Sequence, residues 1–409
     1  MFAKRAARLK SSLIRDILKL AQRPGVISFA GGLPNEAAMP ALDLAEVPPG
    51  YRQYGPSEGE PALREAIAGE LRQLGIDCAA QQVLITSGSQ QGLDLLAKLF
   101  IDEGTPVAVE SPTYLAALQL FELFGAALHG LPAGESGPDA RAAAEILHRE
   151  RPALCYLIPS FQNPTGRCYD AASRAAMRAV LAESGSVLIE DEPYRELVYD
   201  AVERRPICAG LSERWAYLGS FSKTGIPALR IGFLAASQEL LQPLIRLKQA
   251  TDLHSNRVGQ YWALRALQAA DRGARLERLR DFYRGRRDAM AAALERHLGG
   301  HGDRLADWQL PAGGLFFWIK LRRAQDTGEL LQRALAQDLA FMPGDPFFPG
   351  EPDASYLRLN FSHATVAQID EGVARLASLL RQSELPSAAV AGLSAGRAQE
   401  RSATGTEGD

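Results

Sequence analysis

The chain has 409 residues, of which 46% are hydrophobic and 23% are charged, as in ordinary globular proteins. This composition excludes a chain that is disordered throughout, because enough apolar side chains are present to fill large cores. The formal net charge is −3, which argues against the strongly basic surface of a nucleic-acid-binding protein.

The cysteines and the apolar runs indicate the compartment. The four cysteines form no C-x-x-C pair, so the sequence predicts reduced thiols rather than a disulfide framework or a metal knuckle. No apolar run approaches the roughly 20 residues of a membrane span, and the basic N-terminus lacks the apolar stretch of a signal peptide. We therefore expect a cytoplasmic protein with no membrane partner.

The chain up to about residue 250 has the pattern of an α/β protein in its middle part. Segment 12–21 predicts one helix, which ends at Arg23, Pro24 and Gly25 because proline restricts the residue before it. From about 83 to 250, short β-branched runs alternate with amphipathic segments, which is typical of parallel βα units. The predicted strands are 83–86, 106–110, 153–159, 186–190, 217–221 and 231–235. The predicted helices include 90–100, 115–124 and 171–183.

A different pattern begins with an arginine-rich amphipathic stretch at 275–297. After it, the predicted strands are 314–321, 340–343 and 356–361, and the predicted helices are 327–337 and 366–380. This mixture predicts a second, smaller α+β domain. From residue 384 onward the chain is small and polar without an aromatic residue, which predicts a disordered tail.

Polar residues are concentrated where the predicted strands end, at 87–90, 160–166, 191–194 and 220–223. Ligands of doubly wound sheets bind beyond the carboxyl ends of the strands. Lys223 follows a buried strand, where loss of hydration would lower the pKa of its amine and favour a nucleophile; a solvated loop lysine is the alternative. Hydroxyl, guanidinium and backbone N–H groups suited to a phosphate lie on nearby segments. They belong to Ser220, Ser222, Arg230, Ser89 and Gln90.

Asp191 ends an apolar strand, where an unpaired carboxylate is costly and needs a cationic partner. A protonated ring nitrogen would meet this need, and Tyr194 and Asn163 could hydrogen-bond a phenolic oxygen of the same ring. A helix N-cap at Asp191 and a plain turn at Asn163 are the structural alternatives. A phosphate, an aldehyde that reacts with lysine, a ring cation and a ring hydroxyl together describe pyridoxal 5′-phosphate (PLP).

Seven short motifs occur once each and in a fixed order. They are Y-G-P-S-E-G at 54–59, G-S-Q-Q at 88–91, P-T-Y at 112–114, N-P-T-G at 163–166, D-E-P-Y at 191–194, S-F-S-K at 220–223 and R-L-N-F at 358–361. From about residue 11 to residue 380 the chain resembles the class I/II, fold-type I PLP-dependent aminotransferases. The resemblance implies an α/β fold, with a mostly parallel seven-stranded sheet flanked by helices in a large domain, beside a smaller α+β domain.

The resemblance also implies domain boundaries. An N-terminal helix and arm at 1–45 would be part of the small domain. The large PLP-binding domain would cover 46–285, and the C-terminal small domain would cover 286–383. Residues 384–409 are the predicted disordered tail.

The resemblance assigns catalytic roles to Lys223, Asp191 and Tyr194. Lys223 would hold PLP as an internal aldimine and move the proton between the substrate α-carbon and the cofactor. Asp191 would keep the ring nitrogen protonated, Tyr194 and Asn163 would bind the ring O3′, and Tyr114 would stack on the ring. The other implied cofactor-binding residues, around the phosphate, are Gly88, Ser89, Gln90, Ser220, Ser222 and Arg230.

Two further implications concern a partner subunit and the substrate. Tyr54 would reach the phosphate from a second subunit, so a homodimer is part of the prediction. Arg358 would bind the α-carboxylate of the substrate in a bidentate pair, helped by the backbone at Gly32 and by Asn163.

The N-terminal residues 12–34 most resemble those of 2-aminoadipate aminotransferases and their broad-specificity aromatic and branched-chain relatives. In that branch the N-terminal helix lies over the active site, so Arg15 is a candidate partner for a distal carboxylate; an ordinary exposed arginine is the alternative. Residues 35–40 lack the second proline and the aromatic residue that are usual there, which leaves the side-chain preference open.

The predicted reaction moves an amino group between an amino acid and 2-oxoglutarate by a ping-pong mechanism. A PLP-dependent β-lyase or decarboxylase would use the same cofactor residues and is the main alternative. A transcription-regulator effector domain of this fold would need a basic domain before the first helix, and only eleven residues precede residue 12. His297 and His301 have the spacing of a helical metal pair, but Gly299 and Gly300 should end that helix, so we expect no metal.

Overall fold

The structure is a computed structural model that describes residues 2–8, 17, 20, 23–41, 43–134, 136–300 and 304–382. Of the helix predicted at 12–21, Ile17 and Leu20 are described, and both are helical. The predicted tail, 384–409, and Arg15 lie outside the described residues.

Strands and helices are numbered here in chain order. The strands are β1 (Ile27–Ser28), β2 (Val83–Thr86), β3 (Pro106–Ser111), β4 (Ala127–Pro132), β5 (Leu154–Leu157), β6 (Val187–Asp191), β7 (Trp215–Ser220), β8 (Gly232–Ala236), β9 (Ala306–Trp308), β10 (Phe316–Leu321), β11 (Leu339–Ala340), β12 (Met342–Pro343) and β13 (Tyr356–Asn360). The α-helices are α1 (Pro61–Gln73), α2 (Ser89–Phe100), α3 (Leu115–Phe124), α4 (Ala140–Glu150), α5 (Ala171–Glu183), α6 (Gln238–Asp252), α7 (Arg257–Gln268), α8 (Arg272–Leu298), α9 (Thr327–Leu335) and α10 (Val366–Gln382). Short 3₁₀ helices cover Lys4–Arg8, Glu36–Ala38, Leu44–Glu46, Pro49–Arg52, Ala80–Gln82, Pro227–Leu229 and Asp345–Phe347.

The central sheet has seven strands in the order β2-β8-β7-β6-β5-β3-β4. The run from β7 to β4 is parallel throughout, whereas β8 is antiparallel to both of its neighbours. The carboxyl ends of β2, β7, β6, β5, β3 and β4 therefore lie along one edge, where ligands of such sheets bind.

Both faces of the central sheet are buried, as a parallel sheet requires. Along β2, Val83 and Ile85 belong to one apolar core and Leu84 belongs to the core on the opposite face. This alternation follows from the two-residue period of a strand.

A second sheet, in the order β12-β13-β10-β9, is antiparallel, and β1 pairs with β11 in parallel. One apolar core joins the N-terminal residues Ile27 and Phe29 to Phe316 and Leu359 of this sheet. Phe29 packs against Gly372 of α10, where a Cβ atom would lie only 2.5 Å from the Phe29 ring. The N-terminal segment is thus fixed to the C-terminal sheet.

Several predicted elements differ from the observed ones, for identifiable reasons. The strand predicted at 340–343 is two strands, β11 and β12, because the chain leaves the β1 pair and joins β13. The strand predicted at 153–159 ends at Leu157, because the Ile158 N–H donates to the Glu110 carboxylate instead of to a neighbouring strand. The amphipathic stretch predicted at 275–297 lies within helix α8, which is longer at both ends.

Candidate active site

One cavity at the carboxyl edge of the central sheet brings together most of the predicted site residues. It is lined by Ser89, Gln90, Tyr114, Ile158, Asn163, Asp191, Pro193, Tyr194, Ser220, Ser222, Lys223 and Arg230. Gly88 and Tyr54 are the predicted cofactor residues outside this lining. The polar residues predicted at four strand ends thus lie together in one cavity.

The Lys223 amine lies in this cavity beyond the end of β7. Its Nζ donates a hydrogen bond of 3.0 Å to the Gly32 carbonyl oxygen and lies 5.7 Å from the centroid of the Tyr194 ring. Burial lowers the pKa of this amine to about 8, helped by the positive charges of Arg358 and Arg230 and opposed by Asp191. An appreciable fraction of the amine is therefore neutral near pH 7, as a nucleophile or base requires.

The Asp191 carboxylate lies at the end of β6, and only one of its two oxygen atoms has a hydrogen-bond partner among the described residues. Its Oδ2 accepts a hydrogen bond of 2.8 Å from the Tyr156 hydroxyl, while its Oδ1 is buried without a hydrogen-bond partner among the described residues. Burial raises the pKa of this carboxyl group to about 7. A cationic nitrogen bound beside Oδ1 would satisfy this oxygen and restore the charged form.

Arg358 connects the second sheet to the cavity. Its Nη1 donates to Oδ1 of Asn163 at 2.7 Å, and its Nη2 donates to the Ala30 carbonyl oxygen at 2.6 Å. Its Nε is buried and has no partner within the described part of the chain. The guanidinium lies 4.2 Å from the centroid of the Phe316 ring, and burial lowers its pKa to about 10. It is a buried cation with capacity to bind an anion.

Tyr114 and Tyr194 form the aromatic part of the cavity. The Tyr114 hydroxyl donates to Oε1 of Gln90 at 3.4 Å. The Tyr194 ring packs edge-on against Phe316, with centroids 5.6 Å apart. Burial raises the pKa of both phenols, so both remain protonated at neutral pH and can donate hydrogen bonds.

The loop before α2 and the loop after β7 bring together groups that are able to bind an anion. Gly88 precedes α2 with φ of +75°, and a Cβ atom there would lie 2.4 Å from Nη2 of Arg230. Nη1 of Arg230 donates to the Ser222 hydroxyl at 3.4 Å, and the Ser222 N–H donates to the Ser220 hydroxyl at 3.1 Å. The guanidinium, the hydroxyls and the start of helix α2 converge, as a phosphate group requires.

Two predicted residues, Tyr54 and Gly32, do not line this cavity. Tyr54 is 77% exposed, and its ring packs against His254 at 5.8 Å rather than lining the cavity of its own chain. Gly32 lies against the Phe316 ring, where a Cβ atom would approach to 2.7 Å. Arg15 lies outside the described residues, so its role stays a prediction.

Tyr156, which was not predicted from the sequence, lies within β5 and outside every motif. A tyrosine inside an otherwise apolar strand was the available signal, since a buried phenol needs a hydrogen-bond partner. Glu192, in the D-E-P-Y motif, was given no role, although it too is buried. Among the described residues, no group of three or more metal-ligating side chains could hold a metal ion, and no helix has the length and hydropathy to cross a membrane.

Comparison with known proteins decides the family. The family model described as aminotransferase class I and II matches residues 17–376. The chain belongs to this family. It is 41% identical over 393 residues to a 2-aminoadipate transaminase of Thermus thermophilus, covering 93% of this chain and 96% of that relative. It is 34% identical over 396 residues to aromatic-amino-acid aminotransferase 1 of Thermococcus litoralis, covering 93% and 94%.

A solved structure is similar over the same extent. It is the α-aminoadipate aminotransferase LysN of Thermus thermophilus, complexed with N-(5′-phosphopyridoxyl)-L-leucine, with a TM-score of 0.85 and 39% identity, covering 93% of this chain and 97% of that one. The predicted family, the fold-type I architecture and the enzyme class, a PLP-dependent transaminase, are confirmed.

Proposed function

We propose that this aminotransferase moves the amino group of 2-aminoadipate, aromatic or branched-chain amino acids to 2-oxoglutarate, with PLP bound in the cavity described above. The observation that carries the proposal is the buried, unpartnered Oδ1 of Asp191 in the same cavity as the Lys223 amine. A carboxylate that needs a cation beside an amine of lowered pKa fits the ring nitrogen and the aldehyde of PLP.

The residues present match each polar part of this cofactor. Asp191 would hold the ring nitrogen, Asn163 and Tyr194 would hold the ring hydroxyl, and Tyr114 would pack on the ring. The proposed phosphate ligands are Gly88, Ser89, Gln90, Ser220, Ser222 and Arg230. When bound, PLP supplies an aldehyde that condenses with amines and a ring that accepts the electron pair left at the substrate α-carbon.

Lys223 performs the proton transfer in this proposal. Its neutral Nζ would take the α-proton of the amino acid and would return it to C4′ of the cofactor, which requires an amine pKa near the working pH. Arg358 binds the α-carboxylate through its guanidinium and thereby orients the α-carbon toward Nζ. The Gly32 backbone borders the proposed substrate region, because its carbonyl oxygen accepts a hydrogen bond from Nζ of Lys223.

The names of related proteins support the proposed substrate class. One relative and the solved structure are both named for 2-aminoadipate, that structure contains an adduct of leucine, and another relative is named for aromatic amino acids. Amino acid and oxo acid share the α-carboxylate, so both can use Arg358 in turn, which is the requirement of a ping-pong mechanism. Arg15 stays the proposed partner of a distal carboxylate.

A cytoplasmic homodimer is part of the proposal. Tyr54 is exposed on a loop that Arg257 fixes by donating to the carbonyl oxygens of Gly50, Gln53 and Tyr54. An exposed aromatic residue on a well-held loop is suited to contact a second copy, and there it would reach the partner's phosphate cradle.

The domain boundaries 1–45, 46–285, 286–383 and 384–409 are also part of the proposal. The core that Ile27 and Phe29 share with the second sheet supports the assignment of the N-terminal arm to the small domain.

The test begins with purified protein incubated with PLP and followed by absorbance. We expect a yellow protein that glutamate converts to the pyridoxamine form with release of 2-oxoglutarate, whereas Lys223→Ala should lose the colour change. Wild-type protein that stays colourless would contradict the proposal, and release of ammonia or sulfide would indicate a lyase. A panel of amino acids, repeated with Arg15→Ala, then defines the side-chain preference.

A further inference from the structure

Glu192 follows Asp191 directly, but its carboxylate lies on the other face of the central sheet. Asp191 bonds Tyr156, which belongs to one apolar core. Glu190, on the same side as Glu192, bonds the N–H groups of Ile207 and Cys208 in the opposite core. Glu192 is therefore screened from the cavity by the strand that carries Asp191, and it touches no proposed cofactor or substrate atom.

Three buried side chains, Ser160, Arg174 and Glu192, contact one another there. Oε1 of Glu192 accepts a hydrogen bond of 2.8 Å from the Ser160 hydroxyl and lies 3.8 Å from Nη1 of Arg174. Nη2 of Arg174 donates to the same hydroxyl at 2.9 Å and to the Pro159 carbonyl oxygen at 2.9 Å. Ser160, Arg174 and Glu192 are each at most 3% exposed, so water does not weaken these contacts.

The network joins the two segments that carry the proposed ring contacts. Glu192 adjoins Asp191 at the end of β6, and Ser160 begins the loop that holds Asn163. Next to Ser160, Phe161 has a φ of +55°, which is unfavourable for a bulky residue and persists only where surrounding contacts fix it. The anchored hydroxyl of Ser160 is one such contact.

We propose that Ser160, Arg174 and Glu192 are positioning residues, which fix the Asp191 carboxylate relative to the Asn163 amide and so set the affinity of the cavity for the PLP ring. This inference rests on the proposed function, because it requires Asp191 and Asn163 to bind the ring nitrogen and the ring hydroxyl. Supporting contacts of this kind matter because small displacements of ligating groups strongly affect binding and rate.

The chain offers a matched control for Ser160. The Ser186 hydroxyl is also buried and donates to the Pro152 carbonyl oxygen at 2.6 Å. It links the segments before β5 and β6, whereas Ser160 links the segments after the same two strands. Ser160→Ala and Ser186→Ala therefore each delete one buried hydroxyl between these segments, at opposite ends of the sheet.

The experiment measures the dissociation constant of PLP from each apoprotein, the melting temperature of each apoprotein, and the pH midpoint of the absorbance change of each PLP complex. We expect Ser160→Ala to raise the dissociation constant about tenfold and to shift the pH midpoint. Ser186→Ala should change the dissociation constant by less than about twofold, because distant sites act independently. Both variants should lower the melting temperature.

A second pair of variants tests the carboxyl group of Glu192. Glu192→Gln should weaken PLP binding as Ser160→Ala does. Glu190→Gln removes a carboxylate 4.0 Å from the same arginine and should lower stability without weakening PLP binding. Equal dissociation constants across all four variants and wild type, or equal weakening in each variant and its control, would overturn the inference. Failure of wild type to bind PLP would instead refute the proposed function. If Glu192→Gln does not fold, the serine pair decides.

Discussion

Nη1 of Arg358 donates a hydrogen bond of 2.7 Å to Oδ1 of Asn163, so the proposed carboxylate ligand is tied to the proposed ligand of the cofactor ring. The same guanidinium contacts the Ala30 carbonyl oxygen through Nη2. Arg358 therefore holds the N-terminal segment, the loop of Asn163 and the substrate region in one arrangement, which a point charge alone would not do.

Arg358→Lys should lower kcat/KM for every amino acid in a substrate panel by about 100-fold. An ammonium group cannot bind a carboxylate in a bidentate pair while keeping the contacts to Asn163 and Ala30, and each charge-assisted hydrogen bond is worth about 1.5–3 kcal/mol. Steady-state kinetics measure the effect. The matched control is Arg322→Lys, because Arg322 pairs with Asp307 at an exposed site. A loss restricted to dicarboxylic substrates would contradict the assignment.

Asp191 should give the apoprotein a distinct pH dependence of stability. Burial raises its pKa from 3.8 to about 7. Between these values the folded protein binds a proton that the unfolded chain has released, so this contribution to the unfolding free energy falls as pH rises. Asp191→Asn removes the titrating group and keeps an oxygen for the Tyr156 hydroxyl.

The unfolding free energy of the Asp191→Asn apoprotein minus that of wild type should therefore increase between about pH 4 and pH 7 and be constant on either side. Urea denaturation at a series of pH values measures this difference. A difference that does not vary with pH would mean that Asp191 is ionised throughout. Saturation of wild type with PLP should reduce its decline in stability, because a ring cation favours the carboxylate.

The sequence predicted the elements whose ends depend on local signals. Helix α3 has the predicted bounds, 115–124, because Gly125 adopts a φ of +92° and ends it. Helix α5 has the predicted bounds, 171–183, because the Asp170 side chain caps it by accepting from the Ser173 N–H. Such signals can be read from a few neighbouring residues.

Features set by distant contacts were not predictable in the same way. Strand β5 is shorter than predicted because a carboxylate 48 positions away takes the Ile158 N–H. In the proposed site, Lys223, Asp191 and Asn163 were first singled out because they follow predicted strands. Tyr156 and the network of Ser160, Arg174 and Glu192 depend on which side chains meet across strands, and periodicity does not specify this.

Gly88→Ala should weaken PLP binding by roughly 10-fold to 100-fold. The added Cβ would lie 2.4 Å from Nη2 of Arg230 and would displace this guanidinium, with loss of a charge-assisted contact to the phosphate. Gly104→Ala is the control, since Gly104 also has a positive φ, +80°, but nothing within 4 Å of the added atom. Both variants should lose stability from the strained backbone. Equal affinity for PLP in the two variants would argue against the phosphate cradle.

We expect each active site to combine Lys223 of one subunit with the partner's Tyr54. Tyr54→Phe should weaken PLP binding, and Lys223→Ala should be inactive. If each cavity uses the partner's Tyr54, a hybrid dimer of one Tyr54→Phe subunit and one Lys223→Ala subunit contains one fully native site. Its activity, at a PLP concentration too low to load the Tyr54→Phe homodimer, should equal that of a hybrid of wild type and Lys223→Ala.

The hybrids can be prepared by co-expression with two different affinity tags and sequential purification. If Tyr54 instead serves the cavity of its own chain, each site of the double hybrid lacks either Tyr54 or Lys223, and its activity stays as low as that of the Tyr54→Phe homodimer. The hybrid of wild type and Lys223→Ala would keep one native site in both cases. Since Tyr54 is 77% exposed and does not line the cavity of its own chain, we expect the first result.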